Sequence, residues 1–549
     1  MTYHPANGYL LLPDPGKSNA LKTEKAERHP ILELIENAEK KWDRLVKKQS
    51  KTLKEAAAEY KKRYLRNPPK GFDKWWEYAQ KNNIVLKDEY DQIFRDVQPF
   101  WAIEPHDLVH RSKVMTNDRA ETFTLNIDPS RSGTHKITIT GEEAKLKRAT
   151  DLAALIERFA EDLPDWVNIT FTKHDQPACA LGYQHKERLL ELVAEGDYFT
   201  SSDFIRPENP ELSNWANGCP ANSPLYLSEV GELHESHPSH PSKLDIQRSF
   251  IYDHAKSMDI CQHPESMHLH GFTSAPGTNL ANLVPLFTFA KTNLHSDVLA
   301  TPLEQYSDTY IGYDPVWDEK SINKLLWRGS TTGAEFAKGV EWQLSQRARL
   351  HFMTHETEGK KNVLWADKKE SKMRVDDFNT KDLNELYMDA SFSGVPVQCD
   401  DETCKVMEKL IDFAPTMGLD ESYQYKYLMD VDGNGWSGRF HRLMSTKSVV
   451  LKSTIFPEWY TERIMPWVHY VPIKVDYSDL YDVMTFFVGT PDGRGSHDQI
   501  AAKIAAQGKE WARLHWRKED MASYMYRLVL EWIRLLHRVD DVDWDYIVE

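Results

Sequence analysis

The sequence predicts an α/β protein of two lobes tied together by helices. Three observations predict it: a length of 549 residues, several times that of one domain; two successive series of short β-branched or aromatic runs alternating with helical patterns; and a stretch from Ile500 to Val539 that reads as almost continuous helix. With 40% hydrophobic residues and 17 Trp, the chain can bury a large core.

In chain order, the first twenty residues carry Pro, Gly and Asn without periodicity and read as a tail that contributes no fold. From about Ile31 to Tyr64, Leu34, Ala38, Trp42, Leu45, Leu53, Ala57 and Tyr60 recur near multiples of 3.6 among many Lys and Glu. This is an amphipathic helix, either docked on the body or drawn out as a stalk. Pro68-Pro69-Lys70-Gly71 breaks it, and the aromatic run Phe72 to Tyr78 opens the tightly packed region. The first α/β series comprises a strand at Lys136 to Thr140, a helix at Ala149 to Asp162, and strands at Val167 to Thr172 and Leu283 to Phe289. The second starts at Leu325 and contains a helix near Glu335 to Phe352, strands at Tyr425 to Val431, Ser448 to Ile455 and Val468 to Ile473, and helices after Ser478. The divisions that follow are 1–110 for the tail and helical extension, 111–322 and 323–500 for the lobes, and 501–549 for helices packed across both.

A formal charge of -16 excludes a nucleic-acid binder, which needs a basic face to replace phosphate counterions. No apolar run reaches the roughly 18 to 20 residues of a bilayer span, and Met1-Thr2-Tyr3-His4 starts no signal-peptide pattern. Cys399 and Cys404 could close a small disulfide loop or stand as two thiols; Cys219 and Cys261 are a less well-marked pair. His234, His237, His240, His263, His268 and His270 lack the helical spacing of a zinc site and receive no role.

Four segments could carry chemistry. Val167 to Thr172 reads as a buried strand leading into Lys173-His174-Asp175-Gln176-Pro177, which puts Asp175 at the strand's carboxyl end, where open α/β sheets face their ligands. There it can act as a general base or simply cap the turn. Arg328-Gly329-Ser330-Thr331-Thr332-Gly333 runs from a strand into a small-residue loop at an expected helix start, suited either to phosphate or to an ordinary cap; it lacks the ending of a P-loop. In the third, Tyr425 to Val431 feeds Asp432-Gly433-Asn434-Gly435-Trp436, after which Ser437, Gly438 and Arg439 open a helix that can hold a departing diphosphate. Fourth, Asp430-Val431-Asp432 spells D-x-D, a metal–diphosphate pattern, although Arg328 and Arg439 supply cations for the same work.

These residues resemble the protein O-glucosyltransferases and the fungal capsule-associated xylosyltransferases over about Pro164 to Asp498. The resemblance is carried by His174-Asp175-Gln176-Pro177, Phe287-Thr288-Phe289-Ala290-Lys291-Thr292, Trp327-Arg328-Gly329-Ser330, Tyr425-Lys426-Tyr427-Leu428, Ser437-Gly438-Arg439-Phe440 and Pro466-Trp467-Val468-His469-Tyr470-Val471-Pro472. Pro68 to Trp76 looks like the fungal branch. The resemblance implies an inverting enzyme of GT-B type, two Rossmann-like lobes facing a cleft, using a UDP-sugar without a divalent metal or other cofactor. Asp175 matches the catalytic base. Arg328, Gly329, Ser330, Ser437, Gly438 and Arg439 match the diphosphate site, and Glu458 the acidic group near the ribose. His174, Lys291 and Thr292 fall on a pocket wall. Within the fungal branch the implied reaction is β-1,2-xylosyl transfer from UDP-xylose to mannose of a capsular polysaccharide or glycolipid. It would take place in the Golgi lumen, by the soluble part of a type II membrane protein whose anchor is not in this chain. A UDP-glucose-dependent O-glucosyltransferase shares every motif, and a non-catalytic carbohydrate-binding protein would share the fold.

Overall fold

The computed structural model of the chain describes residues 1–13, 28–118, 120–131, 136–207, 209–233, 247–274, 280–307, 312–367, 372–538 and 543–547. Two five-stranded sheets organise them. The first runs in the order Ile137–Thr140, Thr122–Ile127, Val167–Thr172, Phe287–Thr288, Val298–Leu299. Thr122–Ile127 is antiparallel to both its neighbours, and the other pairings are parallel. The second sheet, in the order Met388–Phe392, Ile322–Gly329, Tyr425–Val431, Val449–Ser453, Val471–Pro472, is parallel throughout. Parallel strands covered on both faces read as continuous apolar runs, and Tyr425–Val431 is buried at every position except Lys426. The same holds for Val167–Thr172, where Asn168 alone is half-buried. These two strands have the bounds expected from the sequence.

The carboxyl-terminal stretch is two helices, Asp498–His515 and Lys518–His537, with the break at Trp516-Arg517. Asp498–His515 packs on Val449–Ser453 of the second sheet. Lys518–His537 packs on Val167–Thr172 of the first and on the helices Phe72–Lys81, Pro105–Asp118 and Lys147–Ile156. Trp516, fully buried at the joint, touches Phe440, His441, Trp459, Tyr460 and Trp511.

Four expectations need correction. The amino terminus contributes fold: Tyr9–Leu11 pairs antiparallel with Ser249–Ile251, and Leu10 is completely buried. Its partner strand lies some 240 positions away, so local periodicity carries no sign of the pairing. The helix expected from Ile31 to Tyr64 is two, Pro30–Lys48 and Leu53–Tyr64. The second starts afresh because the Thr52 hydroxyl accepts the Glu55 amide at 3.2 Å. The expected helix from Glu335 is irregular chain up to the short 3-10 turn at Trp342–Leu344; the helix proper is Gln346–His355. The strand expected at Leu283 to Phe289 shrinks to Phe287–Thr288. Among the described residues, no helix is long and apolar enough to cross a membrane.

Two disulfides form, Cys219–Cys261 and Cys399–Cys404, and Cys179 is a buried thiol. Alkylation in denaturant without reductant should therefore add one group to a chain of five cysteines, and five after reduction. Intact mass reads the difference; three or more additions before reduction would exclude one of the bridges.

Candidate functional site

The carboxyl end of Val167–Thr172 and the loops after Ile322–Gly329 and Tyr425–Val431 meet around a cleft of about 520 Å³. It is lined by Lys173 to Gln176 on one side and by Gly333, Ala334, Glu335, Gln398 and Asn434 on the other, with Gly271 between them. The two sides touch. A Cβ at Gly435 would stand 2.0 Å from the Asp175 carbonyl oxygen, and the Gln176 amide donates to the Asn434 carbonyl at 3.0 Å. The Asn434 side chain accepts the Gly333 amide at 2.9 Å, which joins the two loops of the second sheet.

The Asp175 carboxylate is 43% exposed and directed into this cleft. Its Oδ1 accepts from Arg148 Nη2 at 2.7 Å, while Oδ2 has no protein partner among the described residues. Arg148 comes from the helix Lys147–Ile156 and also binds Glu304, Nη2 to Oε1 at 2.6 Å and Nε to Oε2 at 3.1 Å. Its Nη1 donates to the Lys173 carbonyl at 2.6 Å. The guanidinium centre lies 5.2 Å from the ring centroids of both Phe289 and Trp436. His174 lines the cleft, with Nε2 3.1 Å from Glu121.

The residues expected to hold a diphosphate gather behind the Gly433–Trp436 loop. Arg439 donates to the Arg328 carbonyl. Arg328 itself is engaged by Asp389, Nη2 to Oδ1 at 2.6 Å and Nη1 to the backbone oxygen at 2.9 Å. Gly329 passes so close to the Trp327 ring that a Cβ there would lie 2.6 Å from it. The Ser330 hydroxyl is 3.3 Å from that of Thr332. Because no helix starts after Gly333, this loop has no helix dipole to offer an anion. Ser437 donates to Asp430, and Gly438 is exposed beside Arg439, the cap of the short helix Phe440–Met444.

The D-x-D carboxylates are buried and engaged by protein groups: Asp430 by Lys452 Nζ at 2.8 Å and by Ser437, Asp432 by His270 Nε2 at 3.2 Å and the Ile455 amide at 3.0 Å. Glu458, 1% exposed, accepts from Gln305 at 2.7 Å and from Tyr460, with Lys452 Nζ 3.8 Å away. Lys291 and Thr292 lie away from the cleft lining. Lys291 is buried between Asp96 Oδ1 at 2.5 Å and the Asp297 carbonyl at 2.8 Å, and Thr292 bonds His295 at 2.8 Å.

Sequence reading passed over three groups. Arg148 sits in a Lys-rich stretch with nothing to set it apart from a solvated helix face. Arg347, buried, braces both loops through the Asp432 carbonyl at 2.9 Å, the Ser330 carbonyl at 3.1 Å and the Thr332 hydroxyl at 2.6 Å; burial and then nearby Arg439 press its pKa down to about 9. His270 was visible only as one of six loop histidines, and pairing with Asp432 gives it a structural task. His234, His237 and His240 lie outside the described residues.

Burial pushes the Glu458 carboxyl up from 4.5 to about 7, against the pull of Lys452. The unfolded chain releases this proton near 4.5 and the folded one near 7, so the folded state binds more protons across that window. Stability owed to this group is full in acid and falls as the pH rises toward 7, by at most about 1.4 kcal/mol per pH unit. Glu458→Gln should flatten the fall, as measured by denaturant unfolding across the window. An unchanged slope would show that Glu458 is ionised throughout.

A model of the family described as Glycosyl transferase family 90 matches residues 273–546, a stretch that includes Arg328, the Gly433–Gly438 loop and Glu458 and begins after Asp175. Protein O-glucosyltransferase 2 of Danio rerio is 32% identical over 114 residues, 21% of this chain and 21% of that protein. Protein O-glucosyltransferase 3 of Rattus norvegicus is 34% identical over 124 residues, 22% and 23% of the two chains. Protein O-glucosyltransferase 1 of Homo sapiens is 29% identical over 126 residues, 22% of this chain and 30% of the human one. Each match thus spans less than a third of the relative's length. This chain is thus similar to glycosyl transferase family 90 over residues 273–546, just under half of its 549 residues.

Proposed function

We propose that the protein is an inverting glycosyltransferase of GT-B type that moves a sugar from a UDP-sugar to a carbohydrate hydroxyl, with Asp175 as the general base. The observation that carries this reading is the free Oδ2 of Asp175, held over the cleft by a carboxylate whose other oxygen is anchored. The acceptor O–H gives its proton to Oδ2 as the oxygen forms a bond to the anomeric carbon, and the bond from that carbon to the diphosphate breaks with its electron pair leaving on UDP. A single displacement turns an α-linked donor into a β-glycoside. Arg439 and the Ser437-Gly438 turn stand beside the Gly433–Trp436 loop, suited to take up charge developing on the leaving diphosphate.

Resemblance to the fungal branch favours UDP-xylose as donor and a mannose-containing glycan as acceptor, in the Golgi lumen. The names of the relatives favour glucosyl transfer to a protein, a second reading that uses the same groups. Because xylose lacks only the hydroxymethyl group of glucose, donor turnover separates the two. UDP-xylose is expected to be used faster, with activity retained in EDTA because Asp430 and Asp432 are committed to Lys452 and His270. Faster use of UDP-glucose would move the assignment to the second reading. Loss in EDTA restored by manganese would make these aspartates metal ligands.

Asp175→Asn keeps the shape of the side chain and removes its basicity, so transfer should fall by roughly 10² or more with UDP affinity little changed. Arg439→Ala should weaken UDP binding by about 1.5–3 kcal/mol, the worth of a charge-assisted contact. Calorimetric titration with UDP beside a transfer assay checks both. Near-wild-type transfer by Asp175→Asn would remove Asp175 from the chemistry.

A further inference from the structure

Arg148 poses a problem for any reading of Asp175 as a base. At 2.7 Å its guanidinium donates to the very carboxylate that has to take up the acceptor's proton. Yet Arg148 is not presented to Asp175 alone. Its fork closes on Glu304 through two nitrogens, and a single hydrogen bond from Nη2 goes to Asp175 Oδ1. Arg148 is only 15% exposed, Glu304 30% and Asp175 43%, so the least hydrated of the three is the cation shared by two anions. The remaining groups around Asp175 are largely balanced. Lys173 pairs with Glu143 at 2.8 Å and Glu121 at 3.2 Å, His174 pairs with Glu121 at 3.1 Å, and Glu335 lines the opposite side. The Gly433–Trp436 loop brings no titratable side chain.

The same guanidinium spans the two sides of the cleft. Phe289, which follows Phe287–Thr288 of the first sheet, and Trp436, from the glycine-rich loop of the second, both stand 5.2 Å from its centre. The two rings are 5.4 Å apart at 73° to each other, so Arg148 is fixed by stacking as well as by ion pairs.

We propose that Arg148 and Glu304 form a positioning pair for Asp175: Arg148 fixes the carboxylate with Oδ2 toward the cleft and ties it to the Trp436 loop, while Glu304 shares the arginine's charge with Asp175. The proposal rests on the reading of Asp175 as the base. It assigns the two partners opposite electrostatic signs, which a merely structural role would not produce.

The test is the pH dependence of kcat/KM for transfer in the full chain, with UDP binding by calorimetry as the control for folding. Glu304→Gln leaves the whole charge of Arg148 to Asp175, so the acid limb should move to lower pH by about one unit and the plateau should drop several-fold. Arg148→Gln removes the cation and frees the carboxylate, so the limb should move to higher pH by about one unit with kcat down on the order of tenfold. Arg148→Lys, which keeps the charge without the fork, should restore the position of the limb more than the rate. Limbs that stay in place, or move in the same direction in Glu304→Gln and Arg148→Gln, overturn the proposal. If Arg148→Gln fails to bind UDP, Glu304→Gln decides alone, and an unshifted limb there is fatal. Full transfer by Asp175→Asn would refute the base assignment instead, whichever way these limbs move.

Discussion

The first sheet and the amino-terminal helices are hung on a helix that could not stand in water. In Lys518–His537 every residue from Asp520 onward is buried, among them Arg527, Glu531 and Arg534. Desolvated charges of this kind need opposite charges, hydrogen bonds or aromatic faces around them. Arg527 is surrounded by the rings of Tyr60, Phe72, Trp75 and Tyr90, with centroids 4.6 to 5.2 Å from its guanidinium. Glu531 is bound by the Tyr60 hydroxyl at 2.6 Å and by Arg534 at 2.6 Å; burial alone would raise its pKa, but Arg534 and Arg527 hold it below the ordinary value. Apart from Arg534, these partners come from residues 60–90, so the last elements of the chain pack against the first. The first sheet, with the Asp175 turn at its edge, rests on this assembly.

The second constraint is a lack of room. At Gly435 and Gly271 the backbones of different loops approach so closely that a single added carbon would stand 2.0 or 2.1 Å from a carbonyl oxygen. Glycine is required there for proximity, whatever its dihedral angles. The result is a cleft whose two sides are already in contact, with Asp175 at one end of that contact and the loop leading to Arg439 at the other.

What the sequence disclosed follows from whether the responsible forces are local. Val167–Thr172 and Tyr425–Val431 were legible to the residue because central strands of mainly parallel sheets are apolar on both faces and end in turns marked by Pro or Gly. With those ends fixed, Asp175 and the Gly433–Gly438 loop could be placed on sheet edges. Non-local decisions left no trace. Tyr9–Leu11 is a strand only because Ser249–Ile251 is beside it. The segment after Gly333 has helical spacing, but it is drawn out as irregular chain by Thr331, which exchanges hydrogen bonds with Val397, and by Phe336, which bonds Gln398 and Asp400. Arg148 is one basic residue in a run of them until the fold brings Asp175, Glu304 and Trp436 to it.

The two disulfides differ in what they do, and loop length tells them apart. Cys219–Cys261 closes a loop with a sequence separation of 42, which restricts the unfolded chain enough to stabilise the fold by about 4 kcal/mol. Cys399–Cys404, at a separation of 5, removes less entropy from the unfolded chain, worth about 2 kcal/mol. Its effect is on shape. Gln398, next to the bridge, holds a left-handed φ of 56°, a conformation a non-glycine residue keeps only when its surroundings enforce it, and Gln398 lines the cleft. The longer bridge is a device of thermodynamics; the shorter one is a tailor's stitch that sets the contour of the cleft wall.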